Sequence, residues 1–348
     1  MTAVSDRKAA FGDLERLTPF KTIVVCSGLF LTLIVVVVLM SLLGSERLPT
    51  QASICALLSL GQTGCGLTPG ESAILFDIRL PRILLGAAVG SSLAAAGASY
   101  QSLLRNPLAE PYLLGISNGA AVGTMISLVF MGASEWSRPI FAFAGALAAT
   151  LVVYRLAQGR AGATPERLIL AGVIVTTFLS SVIVFVTTLM DATRIRAFTF
   201  WLLGDLSGTT TSLLSLALVI AVLGAIVLSA HARSLNLLML GERDAFDLGV
   251  EVSRVRLVVF IFASLLVGIS VASGGSVGYV GLVIPHLVRL SLGSDNRITL
   301  PAAAICGALF VVVADTVART IIAPRELPVG AITALIGAPL FIYLLKRG

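Results

Sequence analysis

The chain has 348 residues, 57% of them hydrophobic and only 12% charged, with a formal net charge of +6. A soluble domain carries about a quarter charged residues, so this composition excludes one and calls for apolar surroundings. The basic residues form no continuous patch, and no nucleic-acid partner is expected.

Residues 1–21 mix acids with bases and precede an apolar run at 22–45. That run is longer than the core of a cleavable signal, so the tail is expected to be cytoplasmic and the run retained as a first span. Further stretches without Asp, Glu, Lys or Arg follow at 83–104, 111–134, 139–154, 168–190, 206–230, 257–288, 298–314 and 327–345. A spanning helix needs about 20 mostly apolar residues to cross a core of about 30 Å. The run 257–288 is too long for one span, and Gly274-Gly275 divides it, which brings the count to ten. The shortest runs borrow charged flanking residues that snorkel to the interface. Continuous rather than alternating apolar runs favour helices over a barrel. The predicted fold is an all-α polytopic membrane protein with ten transmembrane helices and both termini cytoplasmic. It forms a single transmembrane domain over 22–348, with an outer segment at 46–82 and an inner one at 231–256.

Orientation follows from the 24 basic residues. Sixteen fall on the face that holds both termini, among them Arg105, Arg155, Arg160, Arg167, Arg256 and Arg289. Eight fall on the other: Arg47, Arg79, Arg82, Arg138, Arg194, Arg196, Arg319 and Arg325. Basic residues concentrate on the cytoplasmic side. The outer segment then contains a short apolar helix at 53–60 and turns at Gly64, Gly66, Pro69 and Gly70. It also holds Cys55 and Cys65, the two cysteines on the oxidising face. Ten turn-rich residues of separation allow a disulfide, and packing of the short helix is the other reading. Cys26 and Cys306 read as packing residues. Neither the cysteines nor the two histidines have metal-ligand spacing, and no metal or cofactor is expected. Pro285-His286 reads as a helix kink, Asn106-Pro107 as a turn, and Asp205 as an interfacial residue.

Small residues at helical spacing, Gly86 with Gly90 and Gly115 with Gly119 and Gly123, read as sites of close helix packing. Of the 18 carboxylates, Asp315 alone falls clearly within a predicted span, four residues before Arg319. An ion-coupled carrier would keep more ionisable groups there. An intramembrane enzyme would show a paired His, Cys or carboxylate constellation. The lysines, Lys8, Lys21 and Lys346, follow no glycine, so a phosphate loop is excluded and ATP hydrolysis by this chain with it. Coupling to a separate ATPase is the leading option. The segment 235–250 suits it: Leu237, Leu240, Phe246 and Leu248 lie on two short amphipathic pieces, each ended by a glycine, Gly241 or Gly249, able to cap in the left-handed conformation. The other reading of this segment is a loop resting on lipid headgroups.

Several ordered motifs carry a resemblance. Arg79-Leu80-Pro81-Arg82 leads to Arg105-Asn106-Pro107-Leu108-Ala109-Glu110-Pro111 and to Leu114-Gly115-Ile116-Ser117-Asn118-Gly119-Ala120. Gly278-Tyr279-Val280-Gly281-Leu282-Val283-Ile284-Pro285-His286, Ala314-Asp315-Thr316-Val317-Ala318-Arg319 and Glu326-Leu327-Pro328-Val329-Gly330 follow. Together they resemble the FecCD-type permeases, the membrane subunits of importers for iron-siderophores, haem and vitamin B12. The resemblance implies a bacterial inner-membrane protein and a central pathway shared with a second permease chain, identical or related. It implies two copies of an ATP-binding subunit inside and a periplasmic substrate-binding protein outside. It assigns ATPase coupling to Leu237, Leu240, Gly241, Ala245, Leu248 and Gly249. Docking of the binding protein falls to outward-facing Arg79, Arg82 and Arg319. An inner gate is placed at Thr164 and Pro165, although Pro165 departs from the small polar residue usual there. The expected cargo is an iron chelate of siderophore type, with haem or cobalamin as the alternative.

Overall fold

A computed structural model describes residues 19–59, 65–130, 136–159 and 162–347. The tail up to residue 18, the turn residue Gly64 and the inner-face Arg160 lie outside them. Among the described residues ten helices cross one layer: α1 (Pro19–Leu42), α4 (Leu80–Leu103), α5 (Ile116–Phe130), α6 (Ser137–Ala157), α7 (Pro165–Thr187), α9 (Thr211–Ala230), α12 (Val252–Gly274), α13 (Val280–Leu292), α14 (Asn296–Thr320) and α15 (Val329–Arg347). Six of them, α1, α6, α7, α9, α12 and α14, are long and apolar enough to span a membrane unaided. Short helices fill the ends. Outside lie α2 (Thr50–Leu58), α3 (Pro69–Ala73), which runs through a π turn (Ile74–Arg79) into α4, and α8 (Ala192–Leu202). Inside lie α10 (Ala232–Leu240), α11 (Glu242–Asp247) and a hairpin of Gln158–Gly159 with Gly162–Ala163.

The contacts at helix ends give the topology. Ser45, just after α1, donates to the Arg319 carbonyl at the end of α14. Val329, at the start of α15, donates to Gly204 on the same side. The start of α1 and the end of α15 therefore share the opposite, inner face, as the charge asymmetry requires. Outside, Cys55 and Cys65 form a disulfide, with Cα atoms 5.6 Å apart. This selects the bridge over the simple packing reading.

Helix α4 is the axle of the bundle. Nineteen of its 24 residues are buried, most of them Ala, Gly, Ser and Leu. Its small residues bring neighbouring backbones into direct contact. A Cβ on Gly90 would lie 2.1 Å from the Gly307 carbonyl oxygen of α14, and one on Gly97 would lie 1.9 Å from the Gly281 oxygen of α13. Between helices in lipid, such dispersion contact replaces the hydrophobic drive available in water.

Two crossings are shorter than their apolar runs imply. Helices α5 and α13 have 15 and 13 residues, which gives lengths of about 20 Å against a core of about 30 Å. The balance is chain outside the α-helices, residues 105–115, which include a 3-10 turn at Pro111–Leu114, and 275–279. Each stretch ends in a left-handed residue, Gly115 (φ 77°) and Tyr279 (φ 68°). The two stretches satisfy one another. Tyr112 Oη donates to the Val277 carbonyl at 3.0 Å and accepts from its N–H at 2.9 Å. The Tyr279 N–H donates to Glu110 Oε1 at 3.3 Å. Irregular backbone at membrane depth is tolerated when protein supplies its partners in this way.

Candidate functional site

At the outer end, Arg79, Arg82 and Arg319 come together, but they do not face outward. All three are buried. Arg82 lies one turn into α4, and its Nε and Nη2 both reach Asp315 of α14, at 3.0–3.2 Å. Its Nη1 donates to Glu326 Oε2 at 2.7 Å. Arg319 Nε approaches Asp315 Oδ2 at 3.2 Å, close enough to pair but off the hydrogen-bonding direction, while its Nη2 donates to Thr316 Oγ1. The i,i+4 pairing read from sequence is present, and Arg82 and Glu326 extend it. Arg79 turns to the end of α1, donating to the carbonyls of Ser41 and Glu46. An unpaired charge buried here would be costly, so each guanidinium folds back onto a carboxylate or a free helix-end carbonyl.

At the inner end, the segment 231–256 forms two helices, as its pattern implied. Leu240, Phe246 and Leu248 are exposed, Phe246 by 70%, while Leu235, Leu238 and Ala245 are buried against the bundle. Leu237 is half-buried. Gly249 (φ 84°) ends α11 in the left-handed region. Gly241 does not cap as expected. With φ 145° and ψ 151° it is an extended link in a region that only glycine occupies readily, and it sets the angle between α10 and α11.

Each inner helix is also tied to the spans by one polar side chain. Asn236 of α10 donates to Asp295 Oδ1 at 2.7 Å and accepts from the Asn296 N–H at 2.9 Å, at the start of α14. Burial works against the charge of Asp295, but hydrogen bonds from Arg297 and Asn236 outweigh it and hold the carboxyl below its ordinary range. Buried Asn296 accepts from Ser102 of α4, which also receives Arg289 of α13. Glu242 of α11 accepts from Arg105 and forms an ion pair with buried Arg256. Sequence reasoning missed both ties. The one available signal was a polar residue set on the inner side of an apolar helix stripe.

Thr164 and Pro165 begin α7. The Thr164 hydroxyl accepts from the Arg167 N–H, and Pro165 occupies the first helical position, where its missing N–H costs nothing. That explains a proline in place of a small polar residue. Further along α7, Thr177, Ser180, Ser181 and Thr188 form an exposed stripe of hydroxyls beside Ile174 and Phe178. Asn118 of α5 joins it, donating to Ser180 Oγ and the Thr176 carbonyl. The Asn106 side chain accepts from the Leu108 N–H and fixes the inner turn. His286 sits edge-on to Phe341. Among the described residues no group of three His, Cys, Asp or Glu side chains could hold a metal.

A family model described as the FecCD transport family matches residues 31–347. The cobalamin import system permease protein BtuC of Halobacterium salinarum is 43% identical over 281 residues, covering 81% of this chain and 75% of its own. The hemin transport system permease protein HmuU of Yersinia pestis is 40% identical, over 79% of this chain and 83% of its own. A solved structure described as a metal-chelate type ABC transporter in an inward-facing conformation superposes with a TM-score of 0.81 at 30% identity, covering 93% of this chain and 99% of that one.

Proposed function

The chain belongs to the FecCD transport family, and from that premise we propose that it is the permease subunit that carries an iron chelate of siderophore type across the bacterial inner membrane. Permeases of this family are multi-pass membrane subunits of ATP-binding-cassette importers. They work with a separate ATPase and a second permease chain, and here a periplasmic binding protein delivers the cargo. The ligands named for the relatives, cobalamin and hemin, and the metal-chelate type of the solved neighbour share one class of cargo, a bulky chelated metal. Haem or cobalamin is the alternative within that class.

One observation carries the coupling role: Leu240, Phe246 and Leu248 are exposed on a two-helix segment that is anchored to the bundle from behind. Apolar side chains held out at a charged inner face fit a groove on the ATPase. The hydroxyl stripe of α7 fits one wall of a wet pathway, with the second permease chain across it. Outside, Glu326 is the replaceable member of the arginine cluster, with a side chain 45% exposed. A carboxylate of the binding protein taking its place on Arg82 would dock through the planar fork that suits arginine to this task. Arg79 and Arg319 then hold the cluster around it.

The test is co-purification and uptake. The chain expressed with its ATPase should retain it through purification. Phe246→Asp should release the ATPase without lowering the amount of permease in the membrane. Phe246 is a better probe than Gly241, where any side chain strains the backbone. Retention of the ATPase by Phe246→Asp would count against the docking face. Competition among a ferric siderophore, hemin and cobalamin for uptake would then assign the cargo, and loss of siderophore uptake to neither competitor is the expected result.

A further inference from the structure

Glu242 stands at the start of α11, four residues before the exposed Phe246. Its Oε1 accepts from Arg105 Nη2 at 3.0 Å and forms an ion pair with Arg256 Nη2 at 2.5 Å. Both contacts lead to α7. Arg256 is buried and donates its other terminal nitrogen to the carbonyl of Ala163, the residue immediately before the Thr164 cap. Arg105 opens the 105–115 crossing, and the 3-10 turn at its far end lies against α7. A Cβ on Gly172 would stand 2.6 Å from the Leu113 carbonyl oxygen, and one on Gly115 would touch Val175 and Thr176. One carboxylate thus holds two separate connections to the helix that bears the hydroxyl stripe. The neighbouring helix α10 is tied elsewhere: Asn236 holds the start of α14 in the central core.

The chemistry of the two ties differs as their positions do. The Asn236 contacts are part-buried and lead to fully buried Asn296, where breaking them would leave polar groups unpaired. Glu242 is 36% exposed, so its pair with the equally exposed Arg105 is screened by water and salt and can lengthen and re-form at modest cost. Among the described residues it is also the acid that pairs with buried Arg256, and without it that guanidinium is left uncompensated. From this geometry we infer that Glu242 is the positioning residue that transmits movement of the ATPase to the inner end of α7, through Arg256 to Ala163 and through Arg105 to the 105–115 crossing. Helix α10 is the fixed side of the contact segment and α11 the moving side. This rests on the reading of 231–256 as the ATPase contact.

The test uses the complete importer, reconstituted with its ATPase and binding protein. Glu242→Gln keeps the size of the side chain and removes the charge. The ATPase should still co-purify, while cargo moved per ATP hydrolysed falls about tenfold, and Glu242→Asp should recover much of it. A second readout follows α7 directly. With Cys26 and Cys306 replaced by Ala, a Thr164→Cys probe should react with an impermeant maleimide in inside-out vesicles at a rate that changes when nucleotide binds. In the Glu242→Gln background that nucleotide dependence should disappear. If the glutamine variant is lost from the membrane, Arg256→Lys serves instead. It keeps the charge but lacks the fork that reaches Glu242 and Ala163 together, and it should uncouple in the same way. Unchanged cargo per ATP with unchanged nucleotide-dependent labelling overturns the inference. So does release of the ATPase by Glu242→Gln, which would put Glu242 in the docking face itself. Failure of the unsubstituted chain to retain an ATPase is a separate outcome, and it removes the proposed function along with the relay.

Discussion

The two ends of the bundle use the same pair of residue types in opposite ways. Outside, Arg82, Asp315 and Arg319 are buried, and Asp315 is held by two arginines from two helices. Inside, Arg105 and Glu242 are each 36% exposed and join a short surface helix to a turn. A buried charge network tolerates no missing member, because any survivor is left unpaired in a medium that cannot solvate it. An exposed pair is worth little and can be broken by salt or by a competing partner. The outer end of α4 is thereby fixed to α14, and mobility is left to the inner end, where the ATPase is proposed to act.

The largest effect should come from the centre of the outer network. Asp315→Ala removes the carboxylate that Arg82 and Arg319 share, and it should cost about 3–5 kcal/mol of stability, the range found when one partner of a buried pair is deleted. Thermal unfolding of the purified permease in detergent would measure it. A loss no greater than that of an exposed pair would mean that water reaches these arginines, and the contrast between the two ends would fail.

That network shows where reading the sequence stops. Run length located the spans, because every helix that crosses lipid must be apolar whatever it packs against. The break at Gly274-Gly275 was legible for the same reason. Asp315 was paired with Arg319 because four residues on a helix is a local distance. Its partnership with Arg82, 233 positions away, is not local, and the inward turn of Arg82 depends on it. The shortened crossings were hidden too. Residues 111–115 and 275–279 carry no charge to break an apolar run, and their hydrogen-bond partners lie on one another, 165 positions apart. In the inner segment the apolar stripe predicted three of the side chains that face out, Leu240, Phe246 and Leu248, while Leu237 is half-buried. Its polar residues gave no sign of what they hold, since Asn236 and Glu242 have partners on other spans.

A smaller effect is expected at Glu326, which belongs to the outer cluster but is 45% exposed. Glu326→Gln should change stability by no more than about 1 kcal/mol, because Asp315 still holds Arg82 and the lost pair was already screened. Its consequence should appear in docking. If a carboxylate of the binding protein takes the place of Glu326, removing this competitor should tighten the complex and steepen its dependence on ionic strength. Affinity of the loaded binding protein for the permease in nanodiscs, measured across a salt series, checks both. Unchanged affinity with an unchanged salt slope would leave Arg82 a purely internal strut.

The smallest effect is expected at Arg105, and it bears most directly on the inner end. Arg105→Ala removes one of the two cations on Glu242 and leaves the buried one, Arg256, in place. Neither charge is stranded, so the cost in stability should be about 0.2–1 kcal/mol, that of an exposed pair. It should vanish near 1 M salt, where screening acts over about 3 Å. The turn around Arg105 does not depend on its guanidinium, since Asn106 closes it through the Leu108 N–H. Any change in nucleotide-dependent labelling at Thr164 would then report the connection through the 105–115 crossing and not a local collapse. A partial loss of that dependence, less than in Glu242→Gln, is expected if two connections act in parallel. A loss as complete as in Glu242→Gln would mean that Arg105 carries the movement alone and that Arg256 serves only to neutralise the acid. A destabilisation of several kcal/mol, resistant to salt, would show instead that the inner end is as rigid as the outer one.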